Sequence, residues 1–335
     1  MEILRDGRPY VIAEIGGNHG GDVERAKDYM RAVADTGADA TKFQIYNAEW
    51  LIDEDEPPLP LAGDDYETQY QRFKELELTD HEWEELVALA DDLAVDFAAS
   101  VFDRDTAEYV AEVSPFIKIA SGDLTNLPLL RFVRKLGKPI VLSTGFATMD
   151  EISVAVDELP ANRLILLHCI GSYPTPPGEA HLEMIDRLRA EFDVPIGYSD
   201  HTVGTLAAKA ATAMGARVIE KHFTLDKSQS VGDHRLSATP EELAEIVEDS
   251  RQIYSMINEG TRETTLQAEL NLKKNMRRSL ATLRAVCAGD PFTEANLTAL
   301  RPEEGISPLR YDEILGQVAA RDLPSRTILH DDDIG

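Results

Sequence analysis

Charged and hydroxyl-bearing residues stand at the ends of short apolar segments along the first two-thirds of the sequence. Lysine and histidine are the most informative of these types, because a buried lysine needs an anionic partner or ligand and imidazole is a common metal ligand. The set comprises Glu14, Lys42, Gln44, Ser100, Lys118, Ser121, Ser143, Thr144, His168, Ser199, Asp200, His201, Glu220 and His222. If the segments are strands of one parallel barrel, these residues meet at one face and form a catalytic site.

The lysines predict an anion-binding pocket. Side chains alternate along a strand with a period of two, so Lys42 and Gln44 share one face. The second lysine and three serines end other strands: Lys118, Ser100, Ser121 and Ser199. A cationic, hydroxyl-rich pocket of this kind fits a small phosphate or carboxylate. A buried lysine can also act as a Schiff-base nucleophile, as in imine-forming aldolases, and the residues alone leave that alternative open.

Two histidines, His201 and His222, end neighbouring strands and predict a divalent-metal site. Carboxylates available as further donors are Glu14, Asp200 and Asp233. Two nitrogen ligands with oxygen donors suit Mn²⁺, Fe²⁺, Co²⁺ or Zn²⁺ better than a closed structural site. The alternative is that each histidine is a hydrogen-bonded core residue.

Eight strand-like segments, separated by helical patterns, must position these residues. The predicted strands span residues 10–15, 39–44, 95–100, 116–120, 139–144, 163–168, 196–199 and 217–222. Strands that alternate with helices indicate a parallel sheet, and eight strands close a (β/α)₈ barrel of about 250 residues. Residues 1–258 are therefore predicted to form the barrel domain.

The rest of the chain predicts a linker over 259–276 and a small β-rich domain over 277–335, where short strands alternate with turn residues. Within the barrel, residues 48–70 form a long, acidic, proline-containing connection after the second strand. It is either a lid at the catalytic face or an inert surface insertion. The glycine-rich stretch 16–22 is either a tight turn capped by Asp22 or a ligand-facing loop.

The composition excludes several classes of partner. With 33 basic and 61 acidic residues, the formal net charge is −28, which disfavours nucleic acid and anionic membranes. Such a surface predicts a halophilic protein, since salt screens the self-repulsion. The two cysteines indicate no disulfide framework, and we expect no membrane span or secretion signal, and hence a cytoplasmic location.

Ordered strings along nearly the whole chain resemble the sialic acid synthase family. In the barrel region they are AEIGGNHGGD, GADATKFQ, FIKIASGDLTNLPLL, GKPIVLSTGFATMDEI, LLHCIGSYPTP, PIGYSDHTVG, ARVIEKHFTLDK and GDH. In the C-terminal region RRSL, GDPFTEANL, RPEEGISP and ARDLPSRTIL resemble the antifreeze-like (SAF) domain of these synthases. The resemblance implies an α/β fold, a (β/α)₈ TIM barrel with a small C-terminal SAF domain of the β-clip type.

The activity that the resemblance implies is condensation of phosphoenolpyruvate with the open-chain aldehyde of an N-acyl hexosamine, such as N-acetylmannosamine. The products are a nine-carbon 2-keto sugar acid and phosphate. Legionaminate or pseudaminate synthesis, an imine-forming barrel aldolase and a non-catalytic sugar-binding protein are the alternatives. The implied cofactor is a divalent metal, Mn²⁺ with Mg²⁺ or Co²⁺ as alternatives, and the implied assembly is a domain-swapped homodimer.

Residue roles also follow from the resemblance, position by position. The resemblance assigns phosphoenolpyruvate binding to Lys42, Ser100, Lys118, Ser121 and Ser199. It assigns metal binding to His201 and His222. These two histidines are implied to be catalytic, as is Glu14, the acidic residue that acts on the metal-bound water. Sugar contacts fall on Tyr173, Asp233 and Arg301, the last reaching from one subunit into the barrel of the other.

Three positions depart from the family's pattern. Ser100 stands where threonine is common and keeps the hydroxyl. Gly171 stands in place of asparagine or serine and removes a hydrogen bond on the phosphoenolpyruvate side. Glu303 replaces a glycine just after Arg301, which bears on how that arginine reaches its target.

Overall fold

The computed structural model describes residues 2–4, 7–58, 66–229, 232–258 and 266–335. The chain divides into two compact units, Met1–Glu259 and Gly260–Gly335. Each unit has its own apolar core. Parts of the predicted connection 48–70 and linker 259–276, namely residues 59–65 and 259–265, lie outside the described residues.

Eight parallel strands close into a barrel in the first unit, with β8 paired to β1. They are β1 (Tyr10–Glu14), β2 (Ala40–Ile45), β3 (Asp96–Val101), β4 (Ile117–Ile119), β5 (Ile140–Ser143), β6 (Leu164–Cys169), β7 (Ile196–Asp200) and β8 (Val218–His222). Every strand overlaps a segment predicted from the apolar pattern. The prediction of a (β/α)₈ barrel is confirmed.

Helices cover the outside of the barrel. They are α1 (Val23–Thr36), α2 (Ala48–Leu51), α3 (Gln69–Leu76), α4 (Asp80–Leu93), α5 (Arg104–Val113), α6 (Leu127–Val133), α7 (Met149–Glu158), α8 (Met184–Glu191), α9 (Leu206–Ala213) and α10 (Pro240–Asn258). Side-chain caps fix several of their starts: Asp22 accepts hydrogen bonds from the backbone of Glu24 and Arg25 and begins α1. The predicted connection 48–70 contains α2 and the start of α3.

Two apolar layers determine where polar residues can lie in the barrel. Outward side chains of the strands pack against the helices in one large core. Inward side chains near the strand beginnings form a second cluster: Tyr10, Ile12, Ala40, Ala98, Phe116, Val141, Ile165, Leu167 and Val218. Because side chains alternate along each strand, the next inward positions toward the strand ends lie above this apolar floor. Those positions carry the polar residues.

The second unit contains the helix α11 (Gln267–Met276), the antiparallel strands β9 (Ser279–Thr282) and β10 (Leu297–Leu300), and the short helix α12 (Tyr311–Ile314). Its core includes Leu280, Phe292 and Leu329, all of them buried. The helix α11 occupies the second part of the segment predicted as a linker. Across the described part of the chain, no helix has the length and apolar character needed to cross a membrane.

Candidate active site

Inward residues at the strand ends form a closed circle that we call the inner polar ring. Its members are Glu14, Lys42, Gln44, Ser100, Lys118, Ser143, Cys169, Ser199, Glu220 and His222. Strand register makes neighbours of consecutive members, for example Glu14 beside Lys42 and Ser199 beside Glu220. Every member except Gln44 is buried. The ring therefore lies in the barrel mouth, above the apolar floor.

Lys42 is held by two carboxylates and a hydroxyl. Its Nζ lies 2.5 Å from Glu14 Oε2 and 3.7 Å from Glu220 Oε2, and it donates a 3.0 Å hydrogen bond to Ser100 Oγ. Gln44 Nε2 donates to the other oxygen of Glu14 at 3.3 Å. These contacts satisfy a buried ammonium that would otherwise be strongly disfavoured.

Lys118 lies on the other side of Glu220. It donates to Ser143 Oγ at 2.7 Å and to the backbone oxygen of Ile119 at 2.9 Å, and its Nζ lies 4.0 Å from Glu220 Oε1. Ser199 Oγ donates to the same Glu220 oxygen at 2.9 Å. Burial lowers the pKa of Lys118, although Glu220 opposes the shift. The Glu220 carboxylate thus lies between the two lysines.

The two carboxyl groups of the ring titrate differently. Burial raises the pKa of Glu14 to about 7, although Lys42 opposes the shift. Burial also opposes ionisation of Glu220, but Lys118 and Lys42 outweigh it and lower the pKa of Glu220 to about 2. Near neutral pH the ring therefore holds one permanent carboxylate and one carboxyl group, Glu14, that can exchange its proton.

His201 and His222 lie with ring centroids 5.3 Å apart. The Nδ1 of His201 contacts the Ile170 carbonyl at 2.7 Å, which fixes a proton on Nδ1 and leaves Nε2 as the donor atom. Burial opposes protonation of His201, but Cys169 and the Ile170 carbonyl raise its pKa overall. Burial, reinforced by His201, lowers the pKa of His222 well below its ordinary value, so His222 is neutral and can act as a ligand.

The two histidines fit a divalent metal that takes further donors from outside the protein. Among the described residues, no three His, Cys, Asp or Glu side chains cluster at metal-binding distance. The buried Nδ1 of His222 has no hydrogen-bond partner in the described part of the chain, and Asp233 Oδ2 lies 3.5 Å from it. Two imidazoles with a nearby carboxylate match an open catalytic site, whose other positions belong to water and substrate.

The two predicted sugar-contacting residues of the barrel adjoin the histidines. The ring of Tyr173 lies 4.0 Å from that of His201, centroid to centroid, and its side chain is exposed at the mouth. Burial of the hydroxyl raises the pKa of Tyr173, so it is a neutral donor. Burial also raises the pKa of Asp233, although His201 opposes the shift. Arg301 belongs to the second unit, where it follows β10.

Ser121 lies in the turn that follows β4 and accepts a 3.1 Å hydrogen bond from the Gly145 backbone. Cys169, which sequence reasoning did not place in the site, lies 3.8 Å from His201 Nδ1 through its Sγ. Its inward position on β6 follows from period two, which is the signal that was available. Asp200 lies outside the ring because it faces outward, where Lys221 Nζ contacts it at 2.9 Å.

The structure brings together Glu14, Lys42, Ser100, Lys118, Ser199 and His222 in the ring, with Ser121 at its edge and His201 beside it. The roles assigned to these residues by resemblance stay predictions. The arrangement places ammonium groups and hydroxyls next to a proton-exchanging carboxyl and two metal-competent imidazoles. It can bind a small anion and move a proton beside a Lewis acid.

Comparisons with known proteins identify the family of the chain. The NeuB family matches residues 29–262, and the SAF domain matches residues 277–335. The N,N'-diacetyllegionaminic acid synthase of Campylobacter jejuni is 38% identical over 322 residues, covering 93% of this chain and 96% of that protein. The pseudaminic acid synthase of Helicobacter pylori is 34% identical, covering 97% of this chain and 98% of that protein.

A solved structure gives the same result. The N-acetylneuraminic acid (sialic acid) synthetase of Leptospira borgpetersenii, in complex with citrate, superposes with a TM-score of 0.71 at 32% identity, covering 80% of this chain and 92% of that one. The family resemblance inferred from the motifs is confirmed. The chain is therefore a synthase that belongs to the NeuB family, the family of sialic acid synthases, and it carries a SAF domain at its C-terminus.

Proposed function

We propose that the protein condenses phosphoenolpyruvate with the open-chain aldehyde of an N-acyl hexosamine, giving a nine-carbon 2-keto sugar acid and phosphate. The observation that carries the proposal is the inner polar ring with His201 beside it. There, two buried lysines lie near two histidines that can bind a metal. The relatives are named for legionaminic, pseudaminic and N-acetylneuraminic acids, so N-acetylmannosamine and the corresponding diacetylated sugars are all candidates.

Lys42 and Lys118 would hold phosphoenolpyruvate, with hydroxyls from Ser100, Ser121 and Ser199 around it. In the protein alone, Glu14 and Glu220 balance the two ammonium groups. An incoming phosphate or carboxylate would give both ammonium groups further anionic acceptors, while Glu14 stays available as a base.

His201 and His222 would hold the divalent metal, which we propose is Mn²⁺, with Mg²⁺ or Co²⁺ as alternatives. When bound, such an ion supplies Lewis-acid polarisation of the aldehyde oxygen. The protein's part is to orient the His201 ring through the Ile170 carbonyl and to keep His222 neutral through its lowered pKa. Tyr173 and Asp233 would orient the sugar, since both adjoin the histidines.

Glu14 would handle the proton of the reaction. The enol carbon of phosphoenolpyruvate bonds to the aldehyde carbon, and positive charge develops on the carbon that carries the phosphate ester oxygen. Water adds to this carbon and loses a proton to the Glu14 carboxylate. Glu14 then passes this proton to the alkoxide on the former aldehyde carbon, which becomes the new hydroxyl group. The tetrahedral adduct breaks its bond to the phosphate ester oxygen, and its hydroxyl proton leaves with the phosphate as the keto group forms. A carboxyl group with a pKa of about 7 is suited to accept and return a proton at neutral pH.

The test is phosphate release from phosphoenolpyruvate with Mn²⁺ and a panel of N-acyl hexosamines, followed by mass spectrometry of the product. We expect release that depends on sugar and stops with a chelator. If no sugar on the panel elicits phosphate, the proposed activity is wrong. An imine-forming aldolase is the second candidate, because burial lowers the pKa of Lys118 toward a nucleophilic amine. Borohydride trapping of pyruvate on Lys118 would support that alternative.

We also propose a domain-swapped homodimer, with Arg301 of one subunit completing the site of the other. Exposed apolar side chains lie after the barrel strands, in a connection or in the first turn of the next helix: Trp50, Phe146, Tyr173, Val203, Leu206 and Leu225. In a chain with a net charge of −28, such an apolar rim fits a surface that another protein covers.

Complementation tests the swap. A mixed dimer of Glu14→Gln and Arg301→Ala chains has one site that keeps both residues. We expect an equal mixture to recover about a quarter of the parent activity, since half the dimers are mixed and one of their two sites is intact. Two inactive variants that stay inactive after mixing would indicate that Arg301 acts within its own subunit or not at all.

A further inference from the structure

Asn18, in the glycine-rich turn between β1 and α1, connects that turn to the segment that follows β8. Its side chain is 1% exposed. The Nδ2 donates to the Phe223 backbone oxygen at 3.0 Å and to Ser237 Oγ at 3.1 Å. The Oδ1 accepts a hydrogen bond from the Asp233 backbone N–H at 3.1 Å. One buried amide thus makes three hydrogen bonds, all to residues more than two hundred positions away.

These bonds fix the backbone that carries Asp233. Ser237, which accepts from Asn18, also donates its hydroxyl to the Asp233 backbone oxygen at 2.7 Å. The backbone N–H and oxygen of Asp233 are therefore both engaged by this small network. Asp233 Oδ2, in turn, lies 3.5 Å from the buried Nδ1 of His222, which has no hydrogen-bond partner in the described part of the chain. Asn18 thus holds the backbone from which this carboxylate extends.

We infer that Asn18 is a positioning residue that sets sugar affinity by holding Asp233 beside His222. The inference rests on the proposed function, in which Asp233 contacts the sugar. Asn18 does not touch substrate, because its side chain is buried and both its amide atoms are engaged within the protein. The glycine-rich turn thereby has a role in the site, because it contains Asn18, whose side chain bonds the segment that follows β8.

The first test is steady-state kinetics of Asn18→Ala and Asn18→Ser. We expect the KM for the sugar to rise about tenfold, the cost of misplacing one hydrogen bond to a charged group. The KM for phosphoenolpyruvate should stay within about twofold, because Lys42 and Lys118 do not contact Asn18. If the substitutions only reduced the stability of the fold, they would lower the fraction of active protein and leave both KM values unchanged.

A double-mutant cycle gives a sharper readout. Asp233→Asn should raise the sugar KM by itself, and adding Asn18→Ala should then raise it by less than about twofold, because the two residues act through one carboxylate. If the two effects multiply instead, Asn18 does not act through Asp233 and the inference is wrong.

Thr212→Val is the matched control. Thr212 is a buried residue of α9 whose hydroxyl bonds Ser250 Oγ at 3.1 Å and the Ala208 backbone oxygen at 3.0 Å, on the outer side of the barrel. This variant removes a buried hydrogen-bonding group of the same unit away from the mouth. We expect it to lower the unfolding temperature as Asn18→Ser does, while leaving the sugar KM unchanged.

Hydrogen–deuterium exchange separates this inference from the proposed activity, since it needs no substrate. Backbone amides of residues 233–238 should exchange faster in Asn18→Ser than in the parent protein, and not in Thr212→Val. Unchanged exchange there would overturn the positioning role, whatever the kinetics. Faster exchange in a protein whose parent form releases no sugar-dependent phosphate would leave the positioning of Asp233 intact and reject the proposed function.

Discussion

The ring of Phe146 lies directly over the α-carbon of Gly171, where a Cβ would come within 2.1 Å of two ring carbons. Phe146 has a positive φ of 61°, which is uncommon for an aromatic residue, and it is 72% exposed. The two residues follow neighbouring strands, β5 and β6. The aromatic ring therefore occupies the space that any side chain at position 171 would need.

A side chain at position 171 is therefore expected to displace Phe146. We predict that Gly171→Ser leaves the unfolding temperature almost unchanged, because Phe146 is already largely exposed and loses little packing when it is displaced. Its KM for phosphoenolpyruvate should rise by about threefold to tenfold, because moving Phe146 strains Gly145, whose N–H bonds Ser121 Oγ at 3.1 Å. The measurement is KM for each substrate, with thermal unfolding in parallel.

The double variant Phe146→Ala/Gly171→Ser provides the check on that reason. Without the ring, the serine hydroxyl has room, and the KM for phosphoenolpyruvate should return to the parent value or fall below it. A double variant no better than Gly171→Ser alone would mean that the ring is not what excludes a side chain there.

The contact between Phe146 and Gly171 is also a feature that the sequence could not predict. The period-two pattern of buried parallel strands was enough to predict the barrel and to place Lys42 and Gln44 on one face, because that geometry is local. Contacts between connections were not predictable. The bond from Asn18 to Asp233 joins residues 215 positions apart, and the ring of Phe146 on Gly171 depends on loop conformations that no local pattern determines.

Short helices and the pairing of charged side chains also could not be predicted from the sequence. The helix α2 has only four residues, too few for a periodic signal or for stability in isolation, so the connection 48–70 read as a loop. The sequence placed Glu220 at a strand end, but the position of its carboxylate between Lys42 and Lys118 required coordinates. Both depend on tertiary packing rather than on the order of residues along one strand.

The pH dependence of activity should report Glu14. Its pKa is raised to about 7 by burial, so below pH 7 it is mostly protonated and cannot accept a proton. We predict that kcat/KM rises with pH through an apparent pKa near 7. In Glu14→Gln, kcat/KM should be low and should not change with pH over the same range. An unchanged rising limb in the Gln variant would assign the titration to another group.

The acidic surface predicts a requirement for salt. With a net charge of −28, carboxylates repel one another in dilute buffer, and the Debye length falls from about 10 Å at 0.1 M to about 3 Å at 1 M salt. We expect the unfolding temperature and kcat/KM to rise with KCl over that range. Activity that peaks in dilute buffer and declines with added KCl would contradict a halophilic character.

Removal of either histidine of the pair should remove the metal. We predict that His222→Ala, which deletes one of the two proposed imidazole ligands, lowers metal content measured by elemental analysis and reduces kcat by about a thousandfold or more. The parent protein should lose activity with a chelator and regain it with Mn²⁺. His201→Ala should behave in the same way.

His168→Gln is the control for this prediction. His168 is buried and is the last residue but one of β6, but it faces outward, stacks on Tyr198 and bonds the Ala180 carbonyl through Nε2 at 2.8 Å. Its replacement should cost stability and leave metal content intact, since alternation along the strand turns it away from His201 and His222. If His168→Gln lost the metal as well, or if His222→Ala kept it, the ion would have to be bound elsewhere than between the two inner histidines.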